Sequence, residues 1–91
     1  MRKALSDYCG RRLTVYAKVE RQNKYGFTLV TEVRNYTDNH LLADHLWIDC
    51  PVKLKPGQVI SFRGGVYQYV RRRLYKPDYS IKPDGQPVIW R

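Results

Sequence analysis

Tyr67 and Tyr69 alternate along a strand-like run that leads into Arg71, Arg72 and Arg73, with Lys76 close behind. A tyrosine offers a flat π-face on which an unpaired base can stack, and an arginine neutralises phosphate. The juxtaposition therefore points to single-stranded nucleic acid. Three consecutive arginines in an extended strand cannot share one face, so two can reach phosphates while the third is solvated or pairs with an acid such as Asp78. The two tyrosines share a face opposite Val66 and Val70 if the strand runs straight. The preceding Gly64-Gly65 pair marks a bulge or sharp coil, which leaves open whether that face meets a ligand or the core.

Residue phase elsewhere adds to this set. Tyr16 opposes the apolar series Leu13, Val15, Ala17 and Val19; Trp47 opposes Leu46 and Ile48; Tyr36 leaves its strand opposite Leu29 and Val33. Outward aromatics on neighbouring strands would form a stacking platform, and Arg12, Lys18, Arg34 and Arg63 supply basic outward positions beside it. Lys53 and Lys55 extend the basic set through a loop, and Tyr25, beside Lys24, occupies a loop from which it could swing onto a ligand. Phe27 and Phe62 are in phase with the apolar residues of their strands and are expected in the core. Over 91 residues, 17 Lys and Arg against 8 Asp and Glu give a net charge of +9, the balance of a protein with a polyanionic partner or an anionic membrane surface.

The same residues argue against catalysis. His40 and His45, with Asp44 and Cys50 near, lack the paired C-x-x-C or H-x-H spacing of zinc sites on strands and loops. There is no G-x-S-x-G elbow, no G-x-x-x-x-G-K loop and no acidic pair at useful spacing, so neither an enzyme nor a metal or other cofactor is expected. Cys9 and Cys50 are the only cysteines and do not suggest a disulfide framework; Cys50 falls on an apolar face as a core residue. With no secretory leader and no segment near the ~18 apolar residues of a membrane span, a reduced cytoplasmic protein without a membrane partner is the expectation.

The elements that must position these groups follow from period-two alternation. Residues 12–21 and 27–36 read as a β-hairpin around a polar, glycine-containing turn. Residues 38–44 read as a connector, with Asp38 capping a turn or two of helix. A third strand spans 45–50, Pro56-Gly57 turns the chain, and the long fourth strand runs from 57 to 73. A short fifth strand is expected at 79–82, after which Pro83-Asp84-Gly85 would reverse the chain. Residues 88–90 would add a short edge strand or lie across the barrel mouth. These elements imply an all-β protein: a small five-stranded Greek-key barrel with a short C-terminal extension. The chain reads as one domain over 1–91, with an N-terminal arm (1–10), a barrel (11–82) and an extension (83–91).

Three stretches carry a family resemblance: Arg12-Leu13-Thr14-Val15, Leu46-Trp47-Ile48-Asp49, and the rhythm of Leu54, Gly57, Ile60, Phe62, Gly64 and Val66. Together they resemble the OB-fold single-stranded nucleic-acid-binding superfamily. The resemblance implies a barrel whose outer face and loops bind oligonucleotides. Many members carry a helix between the third and fourth strands, for which residues 51–56 leave no room, and the acidic tail of cellular bacterial single-strand-binding proteins is absent. The chain is more similar to small accessory OB proteins of phages and mobile elements. The expected function is sequence-tolerant binding of single-stranded DNA, with RNA as the close neighbour, in support of replication or recombination. The alternative is a protein-interaction barrel attached to a replication or recombination enzyme through an edge strand or through Val88-Ile89-Trp90.

Overall fold

The computed structural model describes residues 3–50, 52–71 and 76–91. A single helical turn, α1 (Lys3–Ser6), precedes β1 (Arg12–Gln22), β2 (Phe27–Asn35), β3 (Leu41–Asp49), β4 (Val59–Arg71), β5 (Lys76–Pro83) and β6 (Val88–Ile89). All pairings are antiparallel, in the order β3-β2-β1-β4-β5, and β6 joins β4. The sheet curls into a half-barrel. Its two outer strands, β3 and β5, approach each other on the open side without pairing among the described residues, and α1 packs against both. Leu5 on that turn is fully buried. Leu5 thus places an apolar side chain where the sheet does not close.

The first hairpin forms as the alternation predicts. Val15, Ala17 and Val19 are buried on β1, and Asn23 Oδ1 accepts the backbone N–H groups of Tyr25 and Phe27 to set the turn, with Gly26 at φ 88°. The phase of β2 is the reverse of the expected one only up to Glu32, where the register with β1 slips; beyond it Val33 is buried as the alternation predicts. Thr28 and Val30 face the core, whereas Phe27 is 41% exposed. Phe27 pairs across from Asp49 at the end of β3, where the outer face is open to solvent. Thr28 is accommodated because Gln22 Nε2 donates to its hydroxyl at 2.8 Å. That same nitrogen donates to the Val52 carbonyl, and the Leu54 N–H donates to Gln22 Oε1, so one side chain ties β1 to the segment ahead of β4.

Residues 38–44 are not a helical connector. β3 begins at Leu41, and Leu42 and Ala43 are both buried. Asp38 and Asn39 carry turn chemistry instead: Asp38 Oδ1 accepts the His40 N–H, and Asn39 takes φ 62°. The second hairpin is therefore tight, and the apolar pair at its far end is drawn into the sheet.

The double glycine in β4 forms no bulge. Its register with β1 is unbroken from Arg12↔Gly65 to Lys18↔Val59, and its register with β5 is unbroken from Gly64↔Pro83 to Arg71↔Lys76. Gly64 is needed for close approach, because a Cβ there would lie 2.4 Å from the Lys82 carbonyl oxygen and 2.7 Å from Ile81 Cγ2. With no phase slip, Ile60, Phe62 and Val66 all point inward and are buried.

β5 is longer than expected, because its prolines lie on a strand whose other edge carries no ladder among the described residues. The chain also does not reverse at Pro83-Asp84-Gly85. Both β5 and β6 run antiparallel to β4, with Pro83 opposite Gly64, Val88 opposite Ser61 and Ile89 opposite Ile60. Four residues, 84–87, thus span the stretch opposite Phe62 and Arg63, two more than a continuous ladder would need. Cys50 and Phe62 are core residues as expected, and Cys9 is an exposed free thiol.

Candidate nucleic-acid interface

Because β4 keeps its phase, every second side chain from Val59 onward points away from the core: Val59, Ser61, Arg63, Gly65, Tyr67 and Tyr69. This places Tyr67 and Tyr69 on the outer face, a question the residue pattern leaves open. Their ring centroids are 6.1 Å apart, and Tyr67 is 45% exposed. Tyr69 donates its hydroxyl to Asp78 Oδ2 across the β4–β5 ribbon at 3.3 Å. The ribbon extends beyond the last paired residue of β1, so both rings stand clear of the neighbouring strand.

Next to Gly65 the cross-strand partners are basic. Gly65 lies between Arg12 on β1 and Lys82 on β5, both exposed, and Thr14 lies beside Arg63. A Cβ on Gly65 would meet nothing within 4 Å, so the backbone there forms an open floor between two cations. Arg12 forms an ion pair with Asp84, whose backbone N–H donates to the Arg63 carbonyl.

At the other end of the face, Tyr16 pairs with Arg34 on β2 and with Ser61 on β4. Tyr16 and Tyr36 meet edge to face, with centroids 6.2 Å apart and planes at 86°. Arg34 is held by donating to the Asn39 carbonyl at 3.1 Å, and Lys18 lies one outward position along β1 from Tyr16. Trp90 joins them. Its indole N–H donates to Ser61 Oγ at 2.9 Å, its backbone N–H donates to the Val59 carbonyl, and it leaves Ser61 almost wholly covered while remaining 57% exposed itself. Two adjoining depressions result. One, of about 260 Å³, is lined by Tyr16, Tyr36, Val59 and Trp90; the other, of about 330 Å³, includes Lys18, Glu32, Arg34 and Arg91 in its lining.

Tyr16, Lys18, Arg34, Tyr36, Arg63, Tyr67 and Tyr69 thus share one continuous outer face. From Ser61 to Tyr69 it runs roughly 26 Å, at ~3.3 Å per strand residue. Arg71 and Lys76 are a cross-strand pair at the end of the ribbon. Arg72 and Arg73 lie outside the described residues. Trp47 does not join this group. It is outward and 36% exposed, but it pairs with Leu29, five residues along β2 from Arg34, and the Arg21 guanidinium lies 5.5 Å from its ring centroid. To reach that ring from β1, Arg21 crosses Leu29, which explains why an outward leucine is only 7% exposed. Phe27, also exposed, faces Asp49, two residues along β3 from Trp47, and the loop residue Tyr25 is exposed beside Lys24.

Trp90, Glu32 and Lys82 are the residues of this face that residue phase alone does not find. The alternation of Val88 and Trp90 is visible in the sequence, but nothing in it says that the segment docks alongside Ser61. No family model, curated protein or solved structure matches this chain, so its own geometry carries the functional reading.

Proposed function

We propose that this protein is a non-catalytic binder of single-stranded DNA, tolerant of sequence, whose strand lies along the outer face of β1, β4 and β5. The observation that supports it best is the unbroken outward series of β4, in which Arg63 and the bare Gly65 floor, flanked by Arg12 and Lys82, lead to the Tyr67–Tyr69 pair. Phosphates would follow the cations while bases stack on the rings, each ring contributing ~1–3 kcal/mol. Five antiparallel strands curled into a half-barrel, with β3 and β5 converging on the open side, agree with the small barrel that the OB resemblance implies and favour the same reading. A role in replication or recombination fits such a binder.

Anisotropy titration of labelled oligo-dT, with matched duplex DNA and single-stranded RNA as competitors at two salt concentrations, tests this. Preference for the single strand, steep loss of affinity with salt and tenfold or greater weakening in Tyr67→Ala are the expected results. Equal affinity for duplex and single strand would overturn the proposal. The interaction-module alternative draws on the exposed Val88 and Ile89 of β6, an edge open to strand addition. It would take first place if no nucleic acid bound at low salt.

A further inference from the structure

Tyr16, Tyr36 and Trp90 come from three separate parts of the chain, yet with Val59 they line one open, almost wholly apolar depression of about 260 Å³. Its walls are set in place by the protein itself. The Trp90 indole N–H donates to Ser61 Oγ, and the backbone N–H of the same residue donates to the Val59 carbonyl. With its one side-chain donor spent, Trp90 has only apolar ring surface to offer a ligand, and the ring is held before a ligand arrives. The edge-to-face contact between Tyr16 and Tyr36 fixes the other rings in the same way. Tyr36 and Trp90 nevertheless keep half or more of their surface open to solvent.

Charge and continuity select the occupant. The adjoining depression shares Tyr16 and Val59 with this one, and Lys18, Arg34 and Arg91 line it against the single carboxylate of Glu32, so the surroundings are net cationic. Along β4 the same outer face continues through Arg63 to Tyr67 and Tyr69. A flat apolar group carried on a polyanionic backbone suits both features, and a nucleobase is such a group. We infer that the Tyr16–Tyr36–Trp90 depression takes one base of the bound strand by stacking, which makes residues 88–91 part of the binding site. This rests on the single-stranded DNA reading and deepens it. The strand then has two aromatic stations, this slot beside Ser61 and the Tyr67–Tyr69 pair, and the interval from Ser61 to Tyr67 is about 20 Å at ~3.3 Å per strand residue. At ~3.4 Å per stacked nucleotide it holds about six nucleotides. A lining so poor in polar groups discriminates little between bases, in keeping with a sequence-tolerant binder.

The chain has two tryptophans, so Trp47→Phe leaves Trp90 as the sole fluorophore and Trp90→Phe leaves Trp47. Each is titrated with labelled oligo-dT of about twelve nucleotides, long enough to cover both stations, while anisotropy reports binding. Trp90 fluorescence should be quenched in step with binding, and Trp47 fluorescence should hold. Trp90→Ala and Tyr36→Ala should each weaken binding by about tenfold, and the double variant should fall well short of about a hundredfold, because the two rings serve one base. Binding that leaves Trp90 fluorescence unchanged overturns the slot and leaves the single-stranded reading standing. Binding by Trp90→Ala as tight as or tighter than wild type does the same, and would make residues 88–91 a cover over the face. Absence of binding by the wild-type chain overturns both.

Discussion

Replacing Gly64 with alanine puts the geometry of the β4–β5 pairing under direct test. The added Cβ would sit 2.4 Å from the Lys82 carbonyl oxygen, which must recede by about 0.6 Å to reach the 3.0 Å below which real Cβ contacts are essentially never found. The obstacle is backbone, so no rotamer change relieves it, and β5 must move off β4 at the point where Ile81 is packed in the core. Overpacking of this kind costs about 1–3 kcal/mol, and loosening one or two neighbouring ladder hydrogen bonds adds about 1 kcal/mol. The expected loss is about 2–4 kcal/mol, a large share of the stability of a domain this size. Gly65→Ala is the internal control. Its Cβ meets open space, and its φ is not in the left-handed region, so alanine there should be neutral or stabilise by up to about 0.5 kcal/mol. Urea melts of the two variants and the wild type read the difference. Equal midpoints for the two alanine variants would mean that β5 does not approach β4 as described. A bulge at the glycine pair would then be restored as the better account, and the outward assignment of Tyr67 and Tyr69 would be lost with it.

Gln22→Ala should lower stability by about 2–3 kcal/mol, because it leaves the buried Thr28 hydroxyl, the Val52 carbonyl and the Leu54 N–H without their partner; an unchanged urea midpoint would contradict the tie between β1 and the segment before β4. Arg63→Gln should reduce the dependence of log affinity on log salt by about 0.7 for a single strand, whereas Tyr67→Ala should lower affinity and leave that dependence unchanged. The same salt slope for both variants, with affinity unaltered, would place the strand elsewhere. Glu32→Gly should raise the stability of the free protein by about 0.5–1 kcal/mol through relief of its left-handed backbone, read by thermal melting. A destabilised variant would remove the argument that this position carries strain.

What the sequence by itself determined is local. Period-two alternation on β1, with Val15, Ala17 and Val19 inward and Tyr16 and Lys18 outward, needs only the strand's own geometry, and the Asn23 turn needs only its neighbours. The basic and aromatic composition that points to a polyanionic, stacking ligand is likewise independent of the fold. What only the tertiary structure decided depends on what lies across from each residue. Phe27 and Leu29 alternate as a core series would, yet Thr28 is the inward residue because Gln22 satisfies its hydroxyl, and Leu29 is covered from outside by Arg21 reaching to Trp47. Gly64-Gly65 has the signature of a bulge, but whether a glycine serves conformation or close approach is settled by the strand beside it. Trp47 and Tyr16 have the same outward phase, yet their partners on β2 lie five residues apart, whereas Trp90, 74 residues beyond Tyr16 in the chain, stands across from it. Phase along a strand is a one-dimensional property that sequence carries; adjacency across a curled sheet is set by register, and register is fixed only when all the strands have paired.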